Sequence, residues 1–230
     1  MGELRAVCFD LDGTLFDHRG SARAGATHFL KSLGLAATES ALDSWFAAED
    51  AQFERWRSGQ ISFQEQRRER LRTVLSALGY QPPSDRRDLD LLFDAYLSSY
   101  RVSWRAFPES LSMLQELRGQ GYRLGLLTNG AEAQQLDKLA HTGLDGAFDA
   151  VCVSERIGFQ KPDERAFLAL AQELGVDASD CLFVGDSAAH DLAGARSAGM
   201  HGLLINHYAE EAASIKAAVL ACTVAYGDAR

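Results

Sequence analysis

VCFDLDGTLFD, residues 7–17, runs from an apolar stretch of strand-forming residues into Asp10 and Asp12, and then into Gly13 and Thr14. A carboxylate leaving water costs free energy unless it is paired, so two of them at the end of a core strand read either as a costly acidic turn or as a pair with a task. The stretch lies in the longer run LRAVCFDL at 4–11, and four more runs read the same way: YRLGLLTN at 122–129, FDAVCVS at 148–154, CLFVGDS at 181–187 and HGLLIN at 201–206. All are nearly continuous in apolar character rather than alternating, the pattern of strands covered on both faces in a parallel sheet.

Between these runs the period changes to that of helices, in PESLSMLQELRGQG, AEAQQLDKLAHTG, PDERAFLALAQELG and AAHDLAGARSAG. Pro108 and Pro162 stand near helix starts, and Gly121, Gly143, Gly175 and Gly199 just past helix ends, where each residue type is preferred. The alternation predicts an α/β fold, a Rossmann-like doubly wound parallel sheet. The polar residues collect where the strands finish: Asp10 and Asp12, Thr128 and Asn129, and Gly185, Asp186 and Ser187. Ligands bind such sheets beyond the carboxyl ends of the strands, where the strand order reverses. For these residues to act together the first strand must lie between the second and the fourth, and right-handed crossovers then give the order 3-2-1-4-5.

Residues 17–101 carry no comparable strand run but several amphipathic stretches, among them RAGATHFLKSLG, ESALDSWFAAEDAQFERW, SFQEQRRERLRTVLSALG and LDLLFDAYLSSY. Ser62 followed by Glu65 reads as a capping box. We expect an α/β core from residues 1–16 and 102–230, with residues 17–101 inserted as an α-helical cap domain.

The chain has 230 residues, 47% hydrophobic and 24% charged, which supports a sizeable core, and a formal net charge of −9, which disfavours nucleic acid and anionic membrane surfaces as partners. No apolar run is long enough to span a bilayer and the amino-terminal residues lack the pattern of a signal peptide, so we expect a cytoplasmic protein. Cys8, Cys152, Cys181 and Cys222 are scattered without CxxC spacing and read as reduced packing residues.

Asp10, Asp12, Asp186 and Asp191 gathered at one sheet edge would repel one another without a cation among them. Hard oxygen ligands with no His or Cys pattern point to Mg²⁺. Lys161, in GFQKPD after the third strand, adds a positive charge. Carboxylates, a cation, a lysine and hydroxyl or amide donors suit phosphoryl chemistry.

In these motifs the sequence resembles the haloacid dehalogenase-like hydrolase superfamily. The resemblance rests on Asp10-Leu11-Asp12-Gly13-Thr14, Thr128-Asn129, Lys161-Pro162 and GDSAAHDLAGA at 185–195, in that order, with the insertion where the helical-cap phosphatases carry theirs. It implies Asp10 as the nucleophile that takes the phosphoryl group and Asp12 as the acid and base that moves the proton, with neighbouring carboxylates raising its pKa. It further implies Mg²⁺ held by Asp10, the main-chain carbonyl of Asp12 and Asp186, phosphate bound by Thr128, Asn129 and Lys161, and Asp191 and Ser187 supporting the metal and Lys161. The expected activity is Mg²⁺-dependent hydrolysis of a small phosphorylated metabolite through an aspartyl phosphate. A 2-haloacid dehalogenase uses the same nucleophile but has no need of Asp12, and a phosphomutase passes the phosphoryl group to a second hydroxyl. A non-catalytic phosphate-binding or regulatory module belongs to a different class: a pseudoenzyme should have lost a motif residue, and none is lost, while a receiver-like domain should carry its aspartate after the third strand and lack the inserted cap. The expected cap would select the substrate, with His18 at the hinge and Arg67 and Arg70, three residues apart on one helix, as substrate contacts or as ordinary surface pairs. Monomer and homodimer are both compatible with the sequence.

Overall fold

The computed structural model describes residues 3–209 and 214–227. In chain order the elements are β1 (Ala6–Phe9), α1 (His18–Ser32), α2 (Glu39–Arg57), α3 (Phe63–Ala77), α4 (Arg86–Arg101), α5 (Ser110–Gly119), β2 (Arg123–Thr128), α6 (Glu132–Thr142), β3 (Ala150–Val153), α7 (Ser154–Ile157), α8 (Glu164–Leu174), β4 (Cys181–Gly185), α9 (Ala193–Ser197), β5 (His201–Leu204) and α10 (Ile215–Gly227). The chain divides into two compact units, Met1–His18 with Arg105–Arg230, and Arg19–Trp104.

In the first unit all five strands pair in parallel in the order β3-β2-β1-β4-β5, the α/β Rossmann-like arrangement expected from the positions of the polar residues. All four residues of β1 are fully buried, which is why its sequence shows no alternation. Alternate side chains still take opposite faces. Cys8, Leu127, Cys152 and Phe183 share one face with Phe167, Leu170 and Leu174 of α8. Phe167 and Phe183 meet edge to face with centroids 4.8 Å apart. Each such buried ring contributes about 1.5–3 kcal/mol of transfer free energy. Phe9 lies level with Leu126 of β2 and Val184 of β4. That register brings Asp10, Thr128 and Gly185 out at the same edge.

Two differences from the sequence reading have local causes. Residues 188–199 do not form one regular helix, because Ala188–Leu192 makes a π-helical turn in which Ser187 O accepts from both Asp191 N (2.9 Å) and Leu192 N (3.2 Å). The carboxyl-terminal helix α10, which packs on α5, has an evenly apolar sequence without a polar face to mark it. All four cysteines are free thiols, Cys8, Cys152 and Cys181 being buried. No described helix is long and apolar enough to cross a membrane.

The second unit consists of α1 from Arg19 onward and α2 to α4, in which α3 packs on both α2 and α4. Thr38, Ser62 and Asp85 cap three of these helices through their side chains. The capping box at Ser62 is only half made: Ser62 accepts from Glu65 N at 3.1 Å, while the Glu65 carboxylate turns to Arg68 (2.9 Å) and Arg72 (3.0 Å). Trp45 and Tyr96 anchor an aromatic core, centroids 4.5 Å apart, with Phe29 and Phe93 around them.

Arg70 belongs to that core, so it is not the exposed surface residue that its spacing suggests. It is 4% exposed, its Nη1 lies 2.5 Å from Glu49 Oε1, and its guanidinium covers the rings of Phe93, Tyr96 and Trp45 at 4.9, 5.3 and 5.5 Å. The cause is position: Arg70 falls on the buried stripe with Leu71, Val74 and Leu75. Arg67 is half-buried over Phe63 and Phe93, at 4.8 and 5.3 Å. A buried charge left without its partner is costly, whereas replacing the pair together is not. Arg70→Met should therefore destabilise by about 3–5 kcal/mol, and the double variant Arg70→Met/Glu49→Leu should recover most of that loss, as read by urea unfolding of both.

Candidate active site

Immediately after β1 the chain coils back on itself: Leu11 O accepts from Thr14, Leu15 and Phe16 N at 3.2, 3.0 and 2.9 Å. The turn requires Gly13 at φ 92°, and a Cβ there would run into the Asp186 carboxylate. Gly185 is needed for closeness alone, since a Cβ on it would overlap the Asp191 carboxyl. His207, stacked on Phe107 at 3.5 Å, holds the turn from outside through Nε2 and Thr14 O at 2.9 Å.

At the centre Lys161 Nζ binds Asp10 Oδ1 at 2.5 Å and Asp191 Oδ1 at 2.6 Å. Lys161, Asp10 and Asp191 are 3%, 5% and 1% exposed. Burial alone would lower the Lys161 pKa, but Asp10 and Asp191 overcome it and hold the ammonium charged, well above its usual value. The second oxygen of Asp10 accepts from Thr14 Oγ1 at 3.1 Å. Asp191 Oδ2 accepts from Ser187 N at 3.0 Å, and Ser187 Oγ from His190 N at 3.1 Å, so Ser187 orients Asp191. Asn129 clasps the main chain of Lys161, donating to its carbonyl at 3.0 Å and accepting from its N–H at 2.9 Å. The side chain expected to bind phosphate thus locates the lysine.

Asp186 is exposed at the rim, and one oxygen each from Asp10, Asp186 and Asp191 lie within 4.8 Å of one another. Desolvation and mutual repulsion raise two of these carboxyls, Asp10 well above the carboxylate range in spite of Lys161, and Asp186 to about 6. One lysine does not balance three carboxylates. An all-oxygen donor set short of positive charge fits a hard divalent cation.

Asp12 departs from expectation. Burial favours its neutral form, but Lys138, then His18 and a hydrogen bond from Gln135, more than offset this and hold its carboxyl below the usual value. Neighbouring carboxylates do not raise it, because its side chain turns away from them toward α6. Lys138 Nζ lies 2.6 and 2.8 Å from its two oxygens, Gln135 Nε2 2.9 Å from Oδ2, and His18 Nδ1 3.8 Å from Oδ1. Gln135 Nε2 also donates to Thr128 Oγ1 at 2.7 Å, which leaves the Thr128 hydroxyl proton to serve another acceptor. Lys138 and Gln135 escaped the sequence reading. The available signal was two long polar residues three apart on α6, on the face that also carries Leu139 into the core.

The family model for haloacid dehalogenase-like hydrolase matches residues 4–199. The glyceraldehyde 3-phosphate phosphatase of Methanothermobacter thermautotrophicus is 30% identical over 217 residues, 91% of this chain and 88% of the relative. Among solved structures, YfnB of Bacillus subtilis bound to magnesium superposes with a TM-score of 0.80 at 22% identity, covering 89% of both chains, a likeness of fold. The 2-haloacid dehalogenase of Pseudomonas syringae pv. Tomato DC3000 superposes with a TM-score of 0.65 at 26% identity, covering 96% of this chain and 98% of the other.

Lys161→Met would leave Asp10 and Asp191 facing each other without their shared cation. Breaking a buried pair in this way should cost about 3–5 kcal/mol, measured as a lowered urea midpoint at unchanged slope.

Proposed function

The chain belongs to the haloacid dehalogenase-like hydrolase family, and from that premise we propose that it is a Mg²⁺-dependent phosphatase of small phosphorylated metabolites. The observation that carries this reading is the contrast between two aspartates on one turn: Asp10 is buried against Lys161, and Asp12 stands partly exposed, at 25%, against Lys138. A nucleophile and a proton carrier require such different surroundings.

In the first step a carboxylate oxygen of Asp10 attacks phosphorus, the bond from phosphorus to the ester oxygen breaks, and the leaving oxygen takes a proton from the minor protonated form of Asp12, whose carboxyl Lys138 and His18 hold below its usual value. In the second, water gives a proton to Asp12 as its oxygen attacks phosphorus, releasing orthophosphate and restoring the Asp10 carboxylate. Lys161 opposes the effect of burial on Asp10 and aims its carboxyl, and the Thr128 hydroxyl donates to a phosphoryl oxygen. Mg²⁺ would be held by the side chains of Asp10 and Asp186 and the main-chain carbonyl of Asp12, and supplies positive charge to the phosphoryl oxygens when bound. Asp191 has both oxygens engaged, by Lys161 and Ser187 N, and supports the pair rather than the metal.

Asp12 also supports phosphate ester over haloacid as substrate. A departing halide takes no proton, so the haloacid dehalogenase reading, favoured by the Pseudomonas syringae likeness, leaves the carboxylate and its partners on α6 without a task. The relative from Methanothermobacter thermautotrophicus is named for a small phosphorylated metabolite, which supports that class here, and a net charge of −9 disfavours polyanions.

Asp10→Asn should fold as the wild type does by circular dichroism and release no phosphate from aryl or alkyl phosphomonoesters. Excess chelator should stop wild-type turnover, and Mg²⁺ should raise the melting temperature of the wild type more than that of Asp186→Asn. Full turnover by folded Asp10→Asn would sink the covalent scheme.

A further inference from the structure

We propose that Lys138 and Gln135 are positioning residues for Asp12, a clamp on α6 that sets the direction in which its carboxyl exchanges a proton. The proposal rests on the phosphatase reading above and deepens it. Gln135 and Lys138 lie three residues apart and so share one face of α6, and each is 3% exposed. A buried lysine costs free energy unless it is paired. Lys138 is paired with a carboxylate that is itself partly in solvent, contacting both its oxygens at 2.6 and 2.8 Å, and its ammonium stands 4.9 Å from the Phe16 ring centre. The geometry thus buries the cation to serve an anion at the rim.

Gln135 points the same way. Its Nε2 reaches three acceptors, Asp12 Oδ2 at 2.9 Å, Thr128 Oγ1 at 2.7 Å and Asn129 O at 3.0 Å. Turning the amide over would aim its oxygen at a carboxylate and a carbonyl, so the donors must face this way. In that orientation Gln135 Oε1 is buried with no hydrogen-bond partner among the described residues. An apolar side chain would fill the same space without that loss. What the amide adds is a rigid link between the Asp12 turn and the end of β2, the two segments that must hold the leaving oxygen and the phosphoryl group in register. Proton transfer falls steeply with misplacement of this kind.

The test compares wild type, Lys138→Met, Lys138→Arg and Gln135→Met, with folding checked by circular dichroism, on an alkyl phosphate that needs a proton at its leaving oxygen and on 2,4-dinitrophenyl phosphate, which does not. For Lys138→Met, kcat on the alkyl ester should fall about 100-fold with KM within about threefold, while first-turnover release of dinitrophenolate stays within about threefold of wild type. Lys138→Arg should recover part of kcat, and Gln135→Met should show the same split to a smaller degree. Wild-type kcat on the alkyl ester in folded Lys138→Met, or equal loss on both esters, overturns the clamp. If Lys138→Met does not fold, the absence of the split in Gln135→Met overturns it. These outcomes separate from failure of the phosphatase reading, in which the wild type itself releases phosphate from neither ester with Mg²⁺ and the clamp falls with it.

Discussion

The buried bridge from Lys161 to Asp10 and Asp191 is the constraint on which the rest of the α/β unit depends. Three ionisable groups, none more than 5% exposed, cannot sit at the end of a parallel sheet unless they satisfy one another. Much of the neighbouring chain serves that requirement. Asn129 holds the lysine main chain, Ser187 and the π-helical turn set Asp191, Thr14 takes the second oxygen of Asp10, and Gly185 lets Asp191 lie against the strand. The sheet core supplies the stability that makes so much buried charge affordable.

From this bridge the environments of the two aspartates diverge. Asp10 points inward to Lys161, and Asp12 points sideways to α6, so residues two apart on one turn meet different partners. Each carboxylate has a lysine, but the Asp10 lysine is shared with Asp191, and Asp186 adds repulsion at the rim. The charge deficit that invites a divalent cation therefore falls on the Asp10 side, while Asp12 keeps its own counter-ion. The same division gives two aspartates of one turn different electrostatic surroundings.

The helical unit obeys a different logic. Its core is aromatic, and it buries the Arg70–Glu49 pair under Trp45, Phe93 and Tyr96. A guanidinium is planar and weakly hydrated, so stacking offsets part of the cost of taking it from water. Sequence spacing alone placed Arg67 and Arg70 on one helix face. It did not distinguish a face turned to solvent from a face turned to neighbouring helices, since an arginine beside aromatic residues reads the same either way.

The sequence by itself determined the parallel sheet, its strand order and the gathering of Asp10, Thr128, Lys161 and Asp186 at one edge. The strands follow from unbroken apolar runs, and the order follows from bringing the polar residues at their carboxyl ends together through right-handed crossovers. Only the tertiary structure decided that Asp12 pairs with Lys138 and Gln135 of α6. Lys138 stands 126 residues from Asp12, and nothing in the sequence around it names its partner. Electrostatic surroundings are properties of distance in space, so the raised Asp10, the lowered Asp12 and the clamp from α6 came into view only once the chain was folded.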